Sequence, residues 1–275
     1  MVKHIVHVAD THIPNDNKNR PYGEMMDKFI TNLENNTMDY NKDELRIVIV
    51  GDIFDQKIKA TNEAKTMFHS MLNRLNKICK TYLVAGNHDM LQNNRDRMDS
   101  INPTFDIDGV YENITYLDKE LGFKSGIYVD DNIVWVLYSM HSNFDVPDLL
   151  DAREKYPNHT FIGLYHGDIP GATTDIGRSV ENGIDVDLFK NCDCVMAGHI
   201  HKYQEIRKNG IPIVYSGSLF QQNAGENTTM HGYVLWDIDD MEHELVEVDN
   251  DYRIFKFTAD SYDDVKNDIE RLVNL

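Results

Sequence analysis

The stretch Leu45-Arg46-Ile47-Val48-Ile49-Val50-Gly51-Asp52-Ile53-Phe54-Asp55 carries the strongest structural signal in the chain. Its first six residues are almost continuously apolar, which is typical of a strand buried on both faces of a parallel sheet. Gly51 then allows a sharp turn, so that Asp52 presents a carboxylate directly after the strand. The two oxygens of a carboxylate can bridge two cations, which neither His nor Asn can do. The stretch therefore predicts a buried strand that ends in a metal-binding loop.

Strands and helices alternate on both sides of this stretch. Residues 3–9 and 82–85 are two further β-prone, apolar segments. Apolar residues recur at three- and four-residue spacing over 25–33 and over 60–78, which predicts two amphipathic helices. This β-α-β-α-β order is typical of parallel strands with helices packed outside. In such sheets the functional loops lie at the carboxyl ends of the strands.

The rest of the chain predicts short strands with turn signals between them. They are expected at 126–130, 133–138, 161–165, 194–197, 203–208, 211–215, 233–238 and 244–248. Asn209-Gly210 separates two of these segments and is a strong signal for a type I′ hairpin turn. We expect this half to be more antiparallel in character. The fold class is predicted to be α/β, a four-layer α/β/β/α sandwich of two mixed sheets flanked by helices.

Four more motifs with metal-ligating side chains follow predicted strands. They are Asp10-Thr11-His12, Gly86-Asn87-His88-Asp89, the lone His166 and Gly198-His199-Ile200-His201. Any one of them alone could be a polar turn with a hydrogen-bonded histidine. Five in one order, each after a strand, are what is needed to collect ligands at the end of a sheet. Two ions held about 3.5–4 Å apart can clamp a phosphate and generate a nucleophile from water at neutral pH, so the set predicts a two-metal phosphoesterase.

Composition sets limits on partners and compartment. The 275 residues contain 27 Lys and Arg against 46 Asp and Glu, a net charge of −19. Nucleic-acid binders usually present a basic surface, so attraction to DNA would have to come from local loops, metals or a basic partner. No apolar run reaches the ~18–20 residues of a membrane span. The cysteines Cys79, Cys192 and Cys194 lack framework spacing, which favours a reducing, cytoplasmic compartment.

In order and pattern, the five motifs resemble the calcineurin-like metallophosphoesterase superfamily, with D-x-H, G-D-x-x-D, G-N-H-[DE], H and G-H-x-H. The resemblance implies two ligand sets: Asp10, His12, Asp52 and His201 for one ion, and Asp52, Asn87, His166 and His199 for the other. Asp52 would be the bridge. It also implies that His88 is catalytic, as a general acid or a phosphate-orienting donor. Asp55 would hydrogen-bond His88 and set its tautomer.

Within the superfamily, two departures argue against a protein serine/threonine phosphatase. Gln56-Lys57 rather than Arg-Gly follow the second motif, and Asp89 replaces Glu in the third. Residues 7–12, 51–55, 85–89, 198–201 and 215–218 instead resemble the nuclease component of SbcCD-type repair complexes. That resemblance implies a manganese-dependent exonuclease on duplex ends, with endonuclease action on single strands, in double-strand-break repair and recombination. It also implies a homodimer that works with a coiled-coil ABC-type ATPase, and the acidic, asparagine-rich surface suggests a phage or viral version in the host cytoplasm.

The resemblance also bears on domains and metals. We expect residues 1–248 to form the nuclease core and 249–275 to begin a capping or accessory segment, with a strand at 253–257 and a helix from Ser261. Mixed oxygen and nitrogen ligands without thiolate suit Mn²⁺, with Mg²⁺, Fe²⁺ and Zn²⁺ as alternatives. Two or three basic residues near the motifs are expected to contact DNA, from the set Lys18, Arg20, Lys57, Lys59, Arg95, Arg97, Arg178 and Lys202.

Two other functions remain open from the sequence. A small-molecule phosphodiesterase or phosphatase could use the same metals, and the net acidity favours it because a small substrate needs no basic surface. A non-catalytic interaction protein could keep the fold. The complete ligand set together with His88 argues against that second alternative, since a decayed site should have lost at least one ligand.

Overall fold

The computed structural model describes residues 1–16, 21–57, 59–106, 109–142, 147 and 149–256, with 261, 263, 265, 266 and 269. Its strands are β1 (His4–Val8), β2 (Leu45–Val50), β3 (Lys80–Val84), β4 (Ile114–Tyr116), β5 (Gly126–Asp130), β6 (Ile133–Tyr138), β7 (Thr160–His166), β8 (Cys194–Gly198), β9 (Gln204–Lys208), β10 (Ile211–Tyr215), β11 (Gly232–Asp237) and β12 (Glu242–Glu247). Its helices are α1 (Tyr22–Thr37), α2 (Asn62–Ile78), α3 (Asn102–Phe105), α4 (Leu117–Glu120), α5 (Leu149–Lys155) and a 3₁₀ helix at Val186–Phe189.

The strands form two six-stranded mixed sheets. The first sheet has the order β12-β11-β1-β2-β3-β4, and the second has the order β5-β6-β7-β8-β10-β9. In the first sheet β1, β2, β3 and β4 are parallel, while β11 and β12 are antiparallel additions at one edge. Each sheet thus brings the carboxyl ends of several parallel strands to one edge.

Three apolar clusters hold the two sheets and their helices together in four layers. Strand β2 contributes to the packing on both faces of its sheet, because all six of its residues are buried. Ile47 and Ile49 pack with Phe29 of α1 and Leu72 of α2, and Val48 packs toward the second sheet. On the far side of the second sheet, a third cluster packs against α5 and the 3₁₀ helix. The predicted four-layer α/β/β/α sandwich is confirmed.

The prediction that this half of the chain is more antiparallel in character is confirmed by three hairpins, β5–β6, β9–β10 and β11–β12, although the centre of the second sheet is parallel. Strands β6, β7, β8 and β10 are parallel to one another, and antiparallel pairing is confined to the edges, β5 with β6 and β9 with β10. The two hairpins at the edges carry visible turn signals, such as Asn209 and Gly210 with φ of 53° and 84°. Pairing between strands distant in sequence has no such local signal, so the parallel order of these central strands was not predicted.

The chain after β12 departs from the prediction. Residues 253–256 form no strand, in contrast to the prediction, and residue 257 and most of the predicted terminal helix lie outside the described residues. The division into a core and an accessory segment stays a prediction. Within the described part of the chain, none of the helices has the length and hydropathy needed to cross a membrane.

His7 lies fully buried on the face of β1 that points toward the second sheet, with Ile5 and Ala9. Burial lowers the pKa of His7 to about 3. The unfolded chain therefore binds a proton below pH ~6.5 that the folded chain excludes, and the free energy of unfolding falls as the pH drops through this range.

We predict that His7→Leu flattens this dependence. Between pH 6.5 and pH 5, wild type should lose about 2 kcal/mol more stability than the variant, at about 1.4 kcal/mol per pH unit for one excluded proton. Urea unfolding at both pH values measures the difference. His4→Leu, at a partly exposed position at the start of the same strand, is the control and should track wild type. Parallel pH dependences for wild type and His7→Leu would contradict the prediction.

Candidate metal centre

All five motifs meet where the two sheets end. Asp10 and His12 follow β1, Asp52 follows β2 and Asn87 follows β3, while His166 is the last residue of β7 and the His199–His201 loop follows β8. Main-chain bonds link the first two loops, with Asp10 N donating to Gly51 O at 3.0 Å and His12 N donating to Asp52 O at 3.0 Å. The amide of His199 donates to the Asp10 carboxylate at 2.9 Å, which ties the second sheet to the first.

The seven predicted ligands fall into two groups around Asp52. Ligand atoms of Asp10, His12 and His201 lie within 4.8 Å of one another, and so do those of Asp52, His166 and His199. The Oδ2 atom of Asp52 is 3.8 Å from His12 Nε2, whereas its Oδ1 atom is 3.2 Å from His166 Nε2. Asn87 Oδ1 is also 3.2 Å from His166 Nε2. One carboxylate therefore faces both groups, one oxygen to each, and the partition of the ligands between two ions stays a prediction that this geometry allows.

The donor atoms of these groups fit divalent cations. His166 Nδ1 lies 2.8 Å from Val50 O, so that nitrogen carries the proton in a neutral ring. Its Nε2 lone pair then faces two oxygens, and the ring nitrogens of His12 and His201 face each other at 3.0 Å. Atoms that converge in this way need a proton or a metal cation between them. Imidazole and carboxylate donors without thiolate suit Mn²⁺, Fe²⁺ or Zn²⁺.

The pKa shifts of Asp52 and His166 also indicate a position that favours a cation. Burial alone would lower the pKa of His166, but the Asp52 carboxylate, together with the Asp10 carboxylate and the Val50 carbonyl, raises it to about 10. Burial would raise the pKa of Asp52, yet His166 holds it below its ordinary value. The pair therefore attracts a positive charge into a buried position. A bound cation meets the same demand as a proton.

Three motif glycines make room for the ligands. A Cβ atom on Gly51 would lie 2.2 Å from His166 Nδ1, and one on Gly86 would lie 2.2 Å from the Asp52 amide nitrogen and 2.3 Å from its Oδ1. A Cβ on Gly198 would lie 2.1 Å from Val50 O, the acceptor that orients His166. Each glycine thus permits a close approach that a larger residue would block.

The backbone at the ligands is strained. Asp10, His12, Asp52 and His199 have positive φ angles of 52°, 44°, 51° and 98°. Such conformations cost on the order of 1–3 kcal/mol each for residues with a side chain and persist where the surrounding structure enforces them. Their concentration at four of the seven predicted ligands marks this as a functional site.

His88 lies beside the first group. Its ring is 4.9 Å from that of His12, and its Nδ1 is 2.7 Å from the carbonyl oxygen of Asp55. The hydrogen bond predicted from the Asp55 side chain is therefore made by the Asp55 main chain, which sets the tautomer instead. The Asp55 carboxylate still lies within 4.8 Å of ring nitrogens of His12 and His88. The main-chain amide of His88 donates to Asp52 Oδ1 at 2.7 Å.

Asp89 holds two of the ligand loops in register. Its fully buried carboxylate accepts hydrogen bonds from the amides of Ile53, Phe54 and Gly86 at 3.2, 2.9 and 2.8 Å. It thus ties the loop after β2 to the loop after β3. The sequence showed Asp89 only as a difference between branches of a family, and its structural role was missed.

Two further acidic residues near the ligands were not predicted. Glu226 Oε1 is 2.8 Å from His201 Nδ1, and Asp168 Oδ1 is 3.6 Å from His199 Nε2. Glu226 lies far from every motif in the sequence, whereas Asp168 comes two residues after His166 at the end of β7, and that spacing was the signal that could have pointed to it. Two further histidines, His141 and His231, belong to none of the five motifs. His141 pairs with Asp99, and His231 bonds to Ser218 and to the carbonyl oxygen of Asn227.

Two cavities adjoin the ligand groups. A mostly apolar pocket of about 100 Å³ reaches His166 and is lined by Tyr138, Met140, Tyr165, Ile184, Leu188 and Arg95, among others. A more polar cleft lies beside Asp168 and includes Arg178. Of the predicted DNA-contacting residues, Arg95 and Arg178 thus lie near the ligands, and Lys18 and Arg20 lie outside the described residues.

A family model of the calcineurin-like phosphoesterase superfamily domain matches residues 4–241. The chain belongs to this superfamily. Membership implies a hydrolase that acts on phosphoester bonds with divalent metals, which agrees with the two ligand groups around Asp52. The identity of the metal and the substrate are not given by membership.

Two curated relatives and two solved structures are similar to this superfamily member. It is 32% identical over 261 residues to an uncharacterized protein of Acanthamoeba polyphaga mimivirus, covering 91% of this chain but 18% of the relative. It is 26% identical over 256 residues to a protein of the nuclease SbcCD from Staphylococcus epidermidis, covering 86% of this chain and 66% of the relative. The chain thus spans less than two thirds of either relative.

The solved structures support the fold alone. A Thermus thermophilus protein superposes with a TM-score of 0.55 at 12% identity, covering 90% of this chain and 100% of that one. A candidate 5′-nucleotidase from Staphylococcus aureus, solved with alpha-ketoglutarate, superposes with a TM-score of 0.50 at 14% identity, covering 98% and 58%.

We predict that Gly86→Ala disrupts metal binding, because the new Cβ would displace the Asp52 carboxylate that faces both ligand groups. Calorimetric titration with Mn²⁺ should show fewer than two sites, or affinity at least ~10-fold weaker, the loss typical of disturbed ligand geometry. Gly23→Ala is the matched control, since a Cβ there meets nothing within 4 Å. Two wild-type sites in Gly86→Ala would show that the Asp52 carboxylate does not depend on this clearance.

Proposed function

We propose that this chain is a two-metal DNA nuclease, an exonuclease on duplex ends and an endonuclease on single strands, in double-strand-break repair and recombination. The observation that carries the proposal is the pair of ligand groups sharing Asp52, with His88 beside them and its ring held by the Asp55 carbonyl. Similarity to a protein of the SbcCD nuclease supports the choice of DNA.

A pair of divalent ions supplies Lewis acidity toward a phosphodiester and a nucleophile from water at neutral pH. The chain's own residues do the rest. Asp52 keeps the two ligand groups in fixed relation, because each of its oxygens faces one group. His88 Nδ1 donates to the Asp55 carbonyl, so the ring can hand a proton from Nε2 to the departing sugar oxygen when it is the imidazolium, and it becomes the neutral Nδ1–H imidazole as the proton leaves. Positioned acid catalysis of this kind typically contributes ~10²–10⁴-fold in rate.

The proposal extends to the metal and the partners. Mn²⁺ is the proposed metal, in keeping with the nitrogen- and oxygen-rich ligands. We propose that the chain forms a homodimer and works with a coiled-coil ABC-type ATPase. The proposed location is the cytoplasm of the cell that hosts the phage. These proposals rest on the resemblance to SbcCD-type nucleases.

Local charge has to offset the net charge of −19 if DNA is the substrate. Arg95 is near His166, and its Nη1 donates to Ser142 O at 2.7 Å, which holds the side chain at the pocket wall. Arg178 lies in the cleft beside Asp168, and Lys202 follows His201 directly. With so few phosphate contacts, binding should weaken only modestly as salt rises.

A small-molecule phosphodiesterase or phosphatase is the second candidate. The apolar pocket beside His166 favours it, because aromatic and aliphatic walls next to a phosphate site suit the organic part of a small phosphoester. The net acidity favours it as well, since a small substrate needs no basic surface.

The deciding experiment digests end-labelled linear duplex DNA and circular single-stranded DNA with Mn²⁺, using wild type, His88→Ala and His69→Ala. We expect His88→Ala to lose ~10²-fold or more in rate while binding Mn²⁺ as wild type does. His69 lies on α2 and bonds Tyr111, so it serves as the matched control. A wild type that binds two ions, cleaves a chromogenic bis-ester and leaves DNA intact, alone and with an ATPase partner, would select the second candidate.

A further inference from the structure

Among the described residues, Glu226 makes the shortest contact of any carboxylate with a predicted ligand ring. Its Oε1 atom lies 2.8 Å from His201 Nδ1, and its side chain is 5% exposed. With Nδ1 donating to this carboxylate, the lone pair of His201 stays on Nε2, the atom that faces His12. A carboxylate behind a metal-binding imidazole fixes the ring and increases its basicity.

The Glu226 carboxylate is itself held by its own loop. Asn223 Nδ2 donates to Oε1 at 2.6 Å, and the amide of Gln222 donates to Oε2 at 2.7 Å. Together with His201, these two donors engage both oxygens of the carboxylate. The side chain therefore presents one fixed oxygen to the ring.

The loop is tied in turn to the segment after β12. Gln221, which is 2% exposed, accepts a hydrogen bond from Ile254 N at 2.8 Å and donates to Ile254 O at 2.9 Å. The same amide donates to Glu226 O at 3.2 Å. A continuous chain of hydrogen bonds thus runs from residue 254 through Gln221 and Glu226 to His201.

We propose that Glu226 is a positioning residue for the Asp10–His12–His201 ligand group, and that residue 254 and its neighbours hold it in place through Gln221. The inference rests on the metal centre of the proposed function but not on its substrate. It follows that a partner that displaces the segment after β12 weakens one of the two metal sites and leaves the other unchanged.

The test titrates Mn²⁺ into wild type, Glu226→Ala, Glu226→Gln, Gln221→Ala and Glu247→Ala and resolves the two sites. We expect Glu226→Ala to weaken one site by about 10- to 100-fold and leave the other within about twofold. Glu226→Gln should lose less Mn²⁺ affinity than Glu226→Ala, because its amide oxygen still accepts a hydrogen bond from His201. Gln221→Ala should weaken the same site by a smaller factor. Glu247, whose carboxylate accepts from Met230 N, is the matched control.

A double-mutant comparison assigns the affected site. In the His201→Ala background, Glu226→Ala should cause no further loss of Mn²⁺ affinity. In the His199→Ala background it should weaken Mn²⁺ binding by its full factor, because only contacting residues couple strongly. Thermal unfolding with a chelator checks that the metal-free fold is unchanged. Equal weakening of both sites, unchanged affinities, or full additivity with His201→Ala would overturn the inference. A wild type that binds two ions but leaves DNA intact, alone and with an ATPase partner, would refute the nuclease function and leave this inference standing.

Discussion

The shared carboxylate of Asp52 is the constraint on which the rest of the site depends. A charged group at 2% exposure is costly unless positive charge and hydrogen-bond donors surround it. Here each oxygen faces a different ligand group, and the His88 amide donates to one of them. The glycines next to it leave the clearance it needs, and its own backbone adopts a positive φ. Strain and clearance at Asp52 are features that a site completed by cations would require.

A layer of hydrogen-bond acceptors outside the ligands orients them. Val50 O directs His166, Glu226 directs His201 and Asp55 O directs His88. Asp89 orients the backbone in the same way, because its carboxylate joins the loops after β2 and β3. Each acceptor fixes which ring nitrogen carries a proton, and so decides which nitrogen remains to bind a metal or move a proton. The chemistry of the site therefore depends on residues that bind no metal themselves.

The chain combines an acidic surface with a site built to attract positive charge. The net charge of −19 describes the whole molecule, whereas a phosphate would meet the two ions and a few arginines near them. Bound ions are the largest local charges in such a site and can reverse its sign. The net charge therefore affects how DNA would be held outside the site, and it leaves the hydrolytic chemistry unaffected.

Local patterns in the sequence were enough to predict most strands, the layer order and the positions of the seven candidate ligands. Apolar runs and alternation are set by burial, and β2 shows this because both of its faces are covered. Motif order indicated which loops would share a sheet edge, since the carboxyl ends of parallel strands lie together. The parallel pairing of β6, β7, β8 and β10 was not predictable in this way, because strand pairing across the sheet depends on contacts between distant residues.

By itself, the sequence determined that carboxylates and imidazoles would gather at strand ends, because residue type and strand periodicity are local properties. Only the tertiary structure decided that Asp52 presents one oxygen to each group, that a main-chain carbonyl rather than the Asp55 carboxylate holds His88, and that Glu226 stands behind His201. Each of these contacts joins segments that are far apart in the sequence. His201 and Glu226, for example, are 25 positions apart. A hydrogen bond of 2.8 Å between these two side chains depends on how their loops are packed, and no spacing of residue types encodes it.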